Sequence, residues 1–104
     1  MLEQRQKLRF ELHLPYEIHQ TGGRNRITGF TKNVSAEGVL FGLSTPVEIT
    51  GHIQYRLTLP TGSGPRERVQ VHCTGRVIRV DPDECAATID SYELVREVAD
   101  SAAA

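Results

Sequence analysis

The sequence predicts an all-β fold, a small six-stranded antiparallel β-barrel with a short C-terminal α-helix and a mobile N-terminal arm. Apolar and polar residues alternate with a period of two through most of the chain, which is the pattern of half-buried strands. Turn-forming Gly, Pro, Asp and Asn separate these segments at short intervals, as antiparallel hairpins require. A chain of 104 residues has the size of one compact domain, so we expect a single domain over residues 1–104.

The N-terminal residues 1–10 show no strand period, which predicts a mobile arm or a short helical turn, and we expect this arm to become ordered on a partner. The barrel is predicted over residues 11–90. Its six strands are expected at residues 11–19, 25–31, 39–43, 47–59, 69–80 and 85–89. In the fifth strand the apolar positions change parity after Val77, which predicts a β-bulge near that residue or a strand end that is buried on both sides.

The end of the chain has the pattern of a short helix. Asp90 is followed three residues later by Glu93, a spacing typical of a helix capping box. The apolar residues that follow are spaced as one stripe of a helix and are Leu94, Val95 and Val98. The sequence therefore predicts a C-terminal helix over residues 91–101.

Composition excludes several classes of protein. With 38% hydrophobic and 24% charged residues, the chain is too mixed for a disordered tail and too polar for a membrane protein. It contains no run of about 20 apolar residues and no apolar N-terminal signal, so we expect no membrane insertion and a cytoplasmic protein. A net charge of −1 and six aromatic residues without Trp argue against a nucleic-acid polymer as partner.

The two cysteines, Cys73 and Cys85, are predicted to be free thiols. If the last hairpin turns at residues 81–84, Val80 faces Cys85 and Cys73 faces Tyr92. The two sulfur atoms are then several residues out of register, which is far beyond the reach of a disulfide. We expect both thiols to be small buried groups in a reducing compartment.

The sequence offers no catalytic set, and we expect the protein not to be an enzyme. Catalysis needs a nucleophile beside a base, a pair of carboxylates or a metal site, and no residues at useful spacings supply these. The four histidines fall on the predicted polar faces of strands, and no Cys/His pairing has zinc spacing. No metal and no cofactor are therefore expected.

Two short segments suggest a ligand site. Arg5 and Arg9 lie four residues apart on the predicted arm, and guanidinium groups pair with phosphate or with the O6/N7 edge of guanine. Asn33, Ser35 and Gly38 lie between the second and third strands, where Asn and Ser supply short donors and acceptors and Gly permits a positive φ or a close ligand approach. Taken alone, the first segment is also compatible with a solvated charged stretch and the second with an ordinary Asx or Ser turn.

Together, in this order and with one predicted strand pair between them, the two segments resemble the motifs of the PilZ domain family. The Arg-x-x-x-Arg motif is matched by Arg5 and Arg9, and the (Asp/Asn)-x-Ser-x-x-Gly motif by Asn33, Ser35 and Gly38. The resemblance extends through residues 75–80 and covers roughly residues 3–95. It implies a PilZ-like split barrel that acts as a bacterial cytoplasmic receptor for the second messenger cyclic di-GMP, with these five residues as the ligand site.

The resemblance also implies a mechanism. Ordering of the arm by the ligand would create a surface that an unidentified downstream protein, or a second copy of the chain in a homodimer, recognises. Two departures from the family pattern, Gln6 where many members have a second Arg and Asn33 where many have Asp, predict weaker affinity. The alternative is a PilZ-like protein-interaction scaffold that binds no small molecule.

Overall fold

The structure, a computed structural model, describes residues 9–20, 26–60 and 67–98. Its eight strands are β1 (Arg9–Phe10), β2 (Pro15–Gln20), β3 (Arg26–Ser35), β4 (Gly38–Gly42), β5 (His52–Leu59), β6 (Glu67–Asp81), β7 (Glu84–Thr88) and β8 (Ser91–Val98). Within these ranges the chain forms no helix, and so none that is long and apolar enough to cross a membrane. The all-β class is confirmed.

Six of the strands close an antiparallel barrel, as predicted. Going round it, β2 pairs with β3, β3 with β4, β4 with β7, β7 with β6, β6 with β5, and β5 again with β2. The remaining two strands extend this barrel at its edges: β1 pairs with the end of β3, and β8 pairs with β6. Residues 1–8 of the predicted arm lie outside the described residues, while Arg9 and Phe10, which were also assigned to the arm, form β1.

Strand β6 is long enough to serve two partners on one edge. Residues near its end pair with β7 across a tight turn, and Glu67–Thr74 pair with β8. The ladder shifts register between Val77 and Arg79, which confirms the bulge predicted near Val77. Val80 faces Cys85, and Cys73 faces Tyr92, as the hairpin argument predicted. Both cysteines are buried and free.

The helix predicted over residues 91–101 is wrong for Ser91–Val98, which form β8. The carboxylate of Asp90 does not cap a helix, because it accepts hydrogen bonds from Arg76 Nε at 3.2 Å and from Thr88 Oγ1 at 2.9 Å. The exposed backbone edge of β6 beyond β7 supplies a full set of ladder partners for the segment. Tyr and Val also favour strands, so the long-range pairing outweighs the helical spacing. Residues 99–101 lie outside the described residues.

The barrel interior holds one apolar core. Its buried members are Leu14, Tyr16, Ile18, Val39, Phe41, Ile49, Ile53, Tyr55, Leu57, Cys73, Cys85 and Ala87. At its centre Phe41 makes edge-to-face contacts with Tyr16 and Tyr55, with ring centroids 4.7 and 5.0 Å apart. Both phenols donate to backbone carbonyls, Tyr16 to Gly42 and Tyr55 to Thr88. Burial of a side chain such as Phe41 contributes about 1.5–3 kcal/mol to folding.

Two predicted strands begin later than their alternation suggests. Residues 11–14 precede β2 as an irregular segment, and residues 44–51 precede β5. The second segment contains Pro46 and ends at Gly51, whose φ of 74° breaks the extended backbone. Leu14 and Ile49 are nevertheless buried, so the alternation correctly identified core residues even where the backbone is not a strand.

Candidate functional site

Asn33 and Ser35 lie in the last part of strand β3, whereas the sequence placed them in a connection between strands. The β3–β4 ladder shifts register between Thr31 and Asn33, so Lys32 is the extra residue of a β-bulge. Thr31, before the bulge, is 1% exposed and points into the core. Asn33, after it, lines a depression on the outer face of the barrel. The bulge therefore turns the motif outward.

Ser35 organises the hairpin between β3 and β4, of which only Ala36 and Glu37 form the connection. Its Oγ donates to the carbonyl of Gly38 and accepts from the backbone N–H of Glu37, both at 3.3 Å. This is the hydrogen-bond pattern of an ordinary Ser turn. At 3.3 Å both contacts are long, so the hydroxyl remains a usable partner for a stronger donor or acceptor.

The neighbouring strand β7 leaves no room for a side chain at position 38. It has no positive φ, since Gly51 is the described glycine with that conformation. A Cβ on Gly38 would lie 2.7 Å from the carbonyl oxygen of Ala87, its neighbour on β7. Of the two alternatives that the sequence left open, Gly38 does not adopt the positive φ, and its lack of a side chain permits a close approach to the backbone of the barrel.

A straight row of residues crosses the outer face of four strands. In the ladders Asn33 pairs with Leu40, Leu40 with Ala86, and Ala86 with Arg79. At about 4.8 Å between strands, the row is about 14 Å wide. It forms the floor of the depression of about 350 Å³ that Ser35 and Gly38 border. Each end of the row directly follows a β-bulge, one in β3 and one in β6.

The cations beside this depression are already paired with carboxylates. Lys32 Nζ lies 2.9 Å from Glu84 Oε1, and Arg79 lies 2.7 Å from Asp81 and 2.9 Å from Glu84. The hydrogen bond from Lys32 is the main cause that lowers the pKa of Glu84, and that to Asp81 is the main cause that raises the pKa of Arg79. The face is therefore close to neutral and carries small apolar side chains between polar ends.

Strand β1 brings the second motif arginine to this hairpin. The backbone of Arg9 pairs with that of Ser35, and Phe10 pairs with Val34. The two motifs, which are more than 20 residues apart in sequence, thus meet in one ladder. Arg5 lies outside the described residues. Of the five predicted site residues, the structure brings together Arg9, Asn33, Ser35 and Gly38.

Sequence reasoning did not identify the rest of the depression, which Leu40, Ile78, Arg79, Ala86 and Thr88 line. Ile78 is the bulged residue of β6 and is 63% exposed, which contradicts the alternative of a strand end that is buried on both sides. The parity change after Val77 was the available signal, since a bulge turns one residue of an apolar run outward. A larger depression of about 540 Å³ lies elsewhere, between residues 43–49 and the start of β3, and the motif residues do not line it.

In the part of the chain that the structure describes, His, Cys, Asp and Glu form no group of three that could hold a metal ion. Burial raises the pKa of both Cys73 and Cys85 to about 11, which keeps these thiols protonated near neutral pH. The depression is lined by hydrogen-bonding, charged and apolar side chains.

Comparisons with known proteins agree with this geometry. The model of the PilZ domain family matches residues 3–96. The solved structure of the Bacillus subtilis inhibitor of motility (MotI/DgrA) has a similar fold, with a TM-score of 0.69 and 18% identity over 88% of this chain. The similar region spans 44% of the length of that protein. A comparison with curated proteins gives no match.

Proposed function

The chain belongs to the PilZ domain family, and from this premise we propose that it is a receptor for cyclic di-GMP, with Arg5, Arg9, Asn33, Ser35 and Gly38 as the ligand site. One observation carries the proposal. The backbone of Arg9 pairs with that of Ser35 in the β1–β3 ladder, so residues of the two family motifs are neighbours in one sheet. A ligand that touches both motifs connects the arm to the barrel.

The charge distribution supports different roles for the two parts of the site, in which the arm binds the phosphates and the barrel contacts the bases. Cyclic di-GMP carries two phosphates, and the cations next to the depression, Lys32 and Arg79, are committed to carboxylates. The phosphates are therefore held by Arg5 and Arg9, whose guanidinium forks also fit the O6/N7 edge of guanine. Leu40 and Ala86 offer the small apolar floor that a flat base requires.

Asn33 and Ser35 complete the proposed site by hydrogen bonding to a guanine or a phosphate. An amide side chain offers one acceptor oxygen where a carboxylate offers two, so Asn33 satisfies the N1 and N2 donors of guanine less fully than Asp would. Gln6 supplies no charge at the position after Arg5. Both departures from the family pattern lower the expected affinity.

We propose that the protein signals by associating with another protein and not by catalysing a reaction. Ligand binding orders residues 1–10 against the β3–β4 hairpin and so creates a new surface, which a downstream protein recognises. This makes the chain a receptor and adaptor and not an enzyme. The proposed setting is the bacterial cytoplasm, in keeping with two buried free thiols.

Calorimetric titration of cyclic di-GMP tests the proposal. Wild type is compared with Arg9→Ala and with Arg68→Ala, a matched control because Arg68 is an arginine of β6 that does not line the depression. GMP serves as the control ligand. We expect saturable binding in the micromolar range or tighter that Arg9→Ala weakens by at least about tenfold, which is about 1.4 kcal/mol, and that Arg68→Ala leaves unchanged.

Wild-type protein that shows no heat at about 100 µM ligand would contradict the receptor function, since a dissociation constant above that value is too weak for a signal. The chain would then act as a protein-interaction scaffold. Equal loss of binding in both arginine variants would contradict the proposed site but not the receptor function.

A further inference from the structure

Strand β8 has an open backbone edge. It pairs with β6 on one side, and on its other side no strand of the described residues pairs with it. Such an edge presents a row of N–H and C=O groups to a further strand. Exposed edges are usually protected by charged side chains, Pro or a bulge; Ser91–Val98 contains no Lys, Pro or bulge, and its charged residues are Glu93, Arg96 and Glu97.

Two hydrogen bonds establish which residues face that edge. The N–H of Val77 donates to the carbonyl of Gly51 at 2.9 Å, so odd-numbered residues of β6 before its bulge are directed to β5. The carbonyl of Thr74 accepts from the N–H of Asp90 at 2.8 Å, so even-numbered residues are directed to β8. Because Thr74 faces Ser91, the odd-numbered residues of β8 bond to β6. The backbone groups of its even-numbered residues point to the open edge.

The even-numbered residues also carry the exposed apolar side chains of β8. Tyr92 is 67% exposed and Leu94 is 61% exposed. In the ladder they stand opposite Cys73 and Val71, and therefore lie on the core side of the sheet. The barrel core thus continues onto β8 as an apolar strip that the described part of the chain leaves uncovered.

We propose that β8 pairs with β8 of a second copy of this chain, antiparallel and with the twofold axis at Leu94. In this register Leu94 faces Leu94 of the second copy, Tyr92 faces Arg96, and Glu93 faces Val95. All the pairs that involve even-numbered residues use the groups at the open edge. Tyr92 and Arg96 are complementary, since a guanidinium binds the face of an aromatic ring, and no two like charges among these pairs stand opposite each other.

The neighbouring symmetric registers are less favourable. A twofold axis perpendicular to the sheet makes one residue of β8 face its own copy, and residues at equal distances on either side of it face each other. The neighbouring symmetric registers therefore place the axis one residue earlier or one residue later. Moving the axis to Glu93 sets two carboxylates directly opposite each other, which destabilises a pair of strands. Moving it to Val95 places Leu94 opposite Arg96 and loses the contact between the two leucines.

Sedimentation over a range of concentrations and oxidative cross-linking of single-cysteine additions test the interface. In the proposed register the two Cα atoms of residue 94 are about 5.5 Å apart, within the range of a disulfide. The two copies of residue 93 are diagonal neighbours about 7–8 Å apart, beyond that range. We expect a wild-type dimer, efficient cross-linking of Leu94→Cys, and none of the matched control Glu93→Cys.

Two proline variants test the edge itself. Leu94→Pro removes an N–H that points to the open edge, so we expect dimerisation at least about tenfold weaker. We expect little change in melting temperature when both proteins are compared at a concentration at which they are monomeric. Glu93→Pro removes an N–H that bonds to β6, so we expect it to lower the melting temperature. A wild-type protein that remains monomeric would overturn the proposal. Residues 1–8 or another protein would then be the partner of the edge. Equal cross-linking of both cysteine variants, or equal destabilisation by both prolines, would overturn it as well.

The residues of β8 do not line the depression that the motif residues border, whereas Tyr92 lines an apolar depression with Val34 and Ala36, on either side of Ser35. Cross-linking is read in the absence of ligand, so its failure leaves the receptor proposal intact. The converse also holds, because absence of ligand heat says nothing about the sedimentation of the wild type.

Discussion

The backbone N–H of Leu14 donates to Oγ1 of Thr31 at 2.9 Å, across the barrel wall. The same hydroxyl donates to the carbonyl of Leu12, and Thr31 is itself 1% exposed. This buried side chain, together with the bond from the N–H of Thr31 to the carbonyl of Leu14 at 2.9 Å, holds the irregular segment that joins β1 to β2. Because β1 carries Arg9, this contact also positions the entry of the proposed ligand-binding arm.

Replacement of this hydroxyl by a methyl group should be costly. Thr31→Val leaves the N–H of Leu14 buried without a partner, and we expect the free energy of unfolding to fall by about 1–3 kcal/mol. Thr31→Ser retains the hydroxyl and is the matched control, with a smaller loss. Urea unfolding measures both. Equal stability of Thr31→Val and wild type would show that the hydroxyl does not hold the segment.

Replacement of Ser35 distinguishes its role in the stability of the turn from its role in ligand binding. Its two hydrogen bonds are 3.3 Å long and lie at a partly exposed turn, so Ser35→Ala should lower the free energy of unfolding by less than about 1 kcal/mol. If the proposed site is correct, the same variant loses most of its affinity for cyclic di-GMP in calorimetry. A stable variant that binds as tightly as wild type would reduce Ser35 to a turn residue.

Two glycines should resist replacement because of their neighbours. A Cβ at Gly38 would lie 2.7 Å from the carbonyl of Ala87, and one at Gly75 would lie 1.9 Å from that of Thr88. We expect Gly38→Ala to lower the free energy of unfolding by about 1–3 kcal/mol, and Gly75→Ala to lower it more.

Gly51 supplies the control for these two variants. It has a φ of 74°, and a Cβ added there would meet no atom within 4 Å, so its constraint is conformational. Gly51→Asn should cost little, since Asn tolerates this conformation better than other residues. Thermal unfolding gives the melting temperatures of the three variants and so ranks their stabilities. A Gly75→Ala protein as stable as Gly51→Asn would contradict the close packing of β6 on Thr88.

Glu84 should contribute to stability in a pH-dependent manner. The hydrogen bond from Lys32 lowers the pKa of Glu84 below its ordinary value of 4.5 in the folded state. The contribution is therefore fully present above pH 4.5 and is lost as the pH falls through the lowered pKa. Glu84→Gln should narrow the difference in stability between pH 7 and pH 3. Parallel stability profiles of wild type and variant would show that the ion pairs of Glu84 do not contribute.

The thiols should react only after unfolding. Burial raises the pKa of Cys73 and Cys85 to about 11, so little thiolate is present at pH 8, and both side chains are buried. We expect a thiol reagent to modify neither cysteine in the native protein and both in denaturant. Rapid modification of one cysteine in the native state would contradict the packing of the core at that residue.

Alternation along the chain was enough to predict the barrel, because side chains on one face of a strand reach the same core. Tyr16, Phe41 and Tyr55 were assigned to the core in this way and are all buried. Leu94 and Val95 fit a helix as well as a strand, and only the free edge of β6, which is distant in sequence, decides between the two.

The candidate site could likewise be predicted only in part from the sequence. Its motif residues could be identified from their spacing, although the close approach of Gly38 to the backbone of β7 could not. Leu40 and Ala86 could not be found, because their position beside Asn33 depends on how β4 and β7 pair. Ile78 faces outward only because a bulge interrupts the pairing of β6.

The shared edge of β6 divides the molecule into two cooperative units. Strand β7 belongs to the closed ring of hydrogen bonds, whereas β8 continues from it through Ile89 and Asp90 and bonds to β6 alone among the described strands. Opening of β8 therefore breaks one ladder and leaves the ring intact. We expect the amide hydrogens of Ser91, Glu93 and Val95 to exchange through this local opening, and those at the centre of the ring to exchange only when the whole domain unfolds.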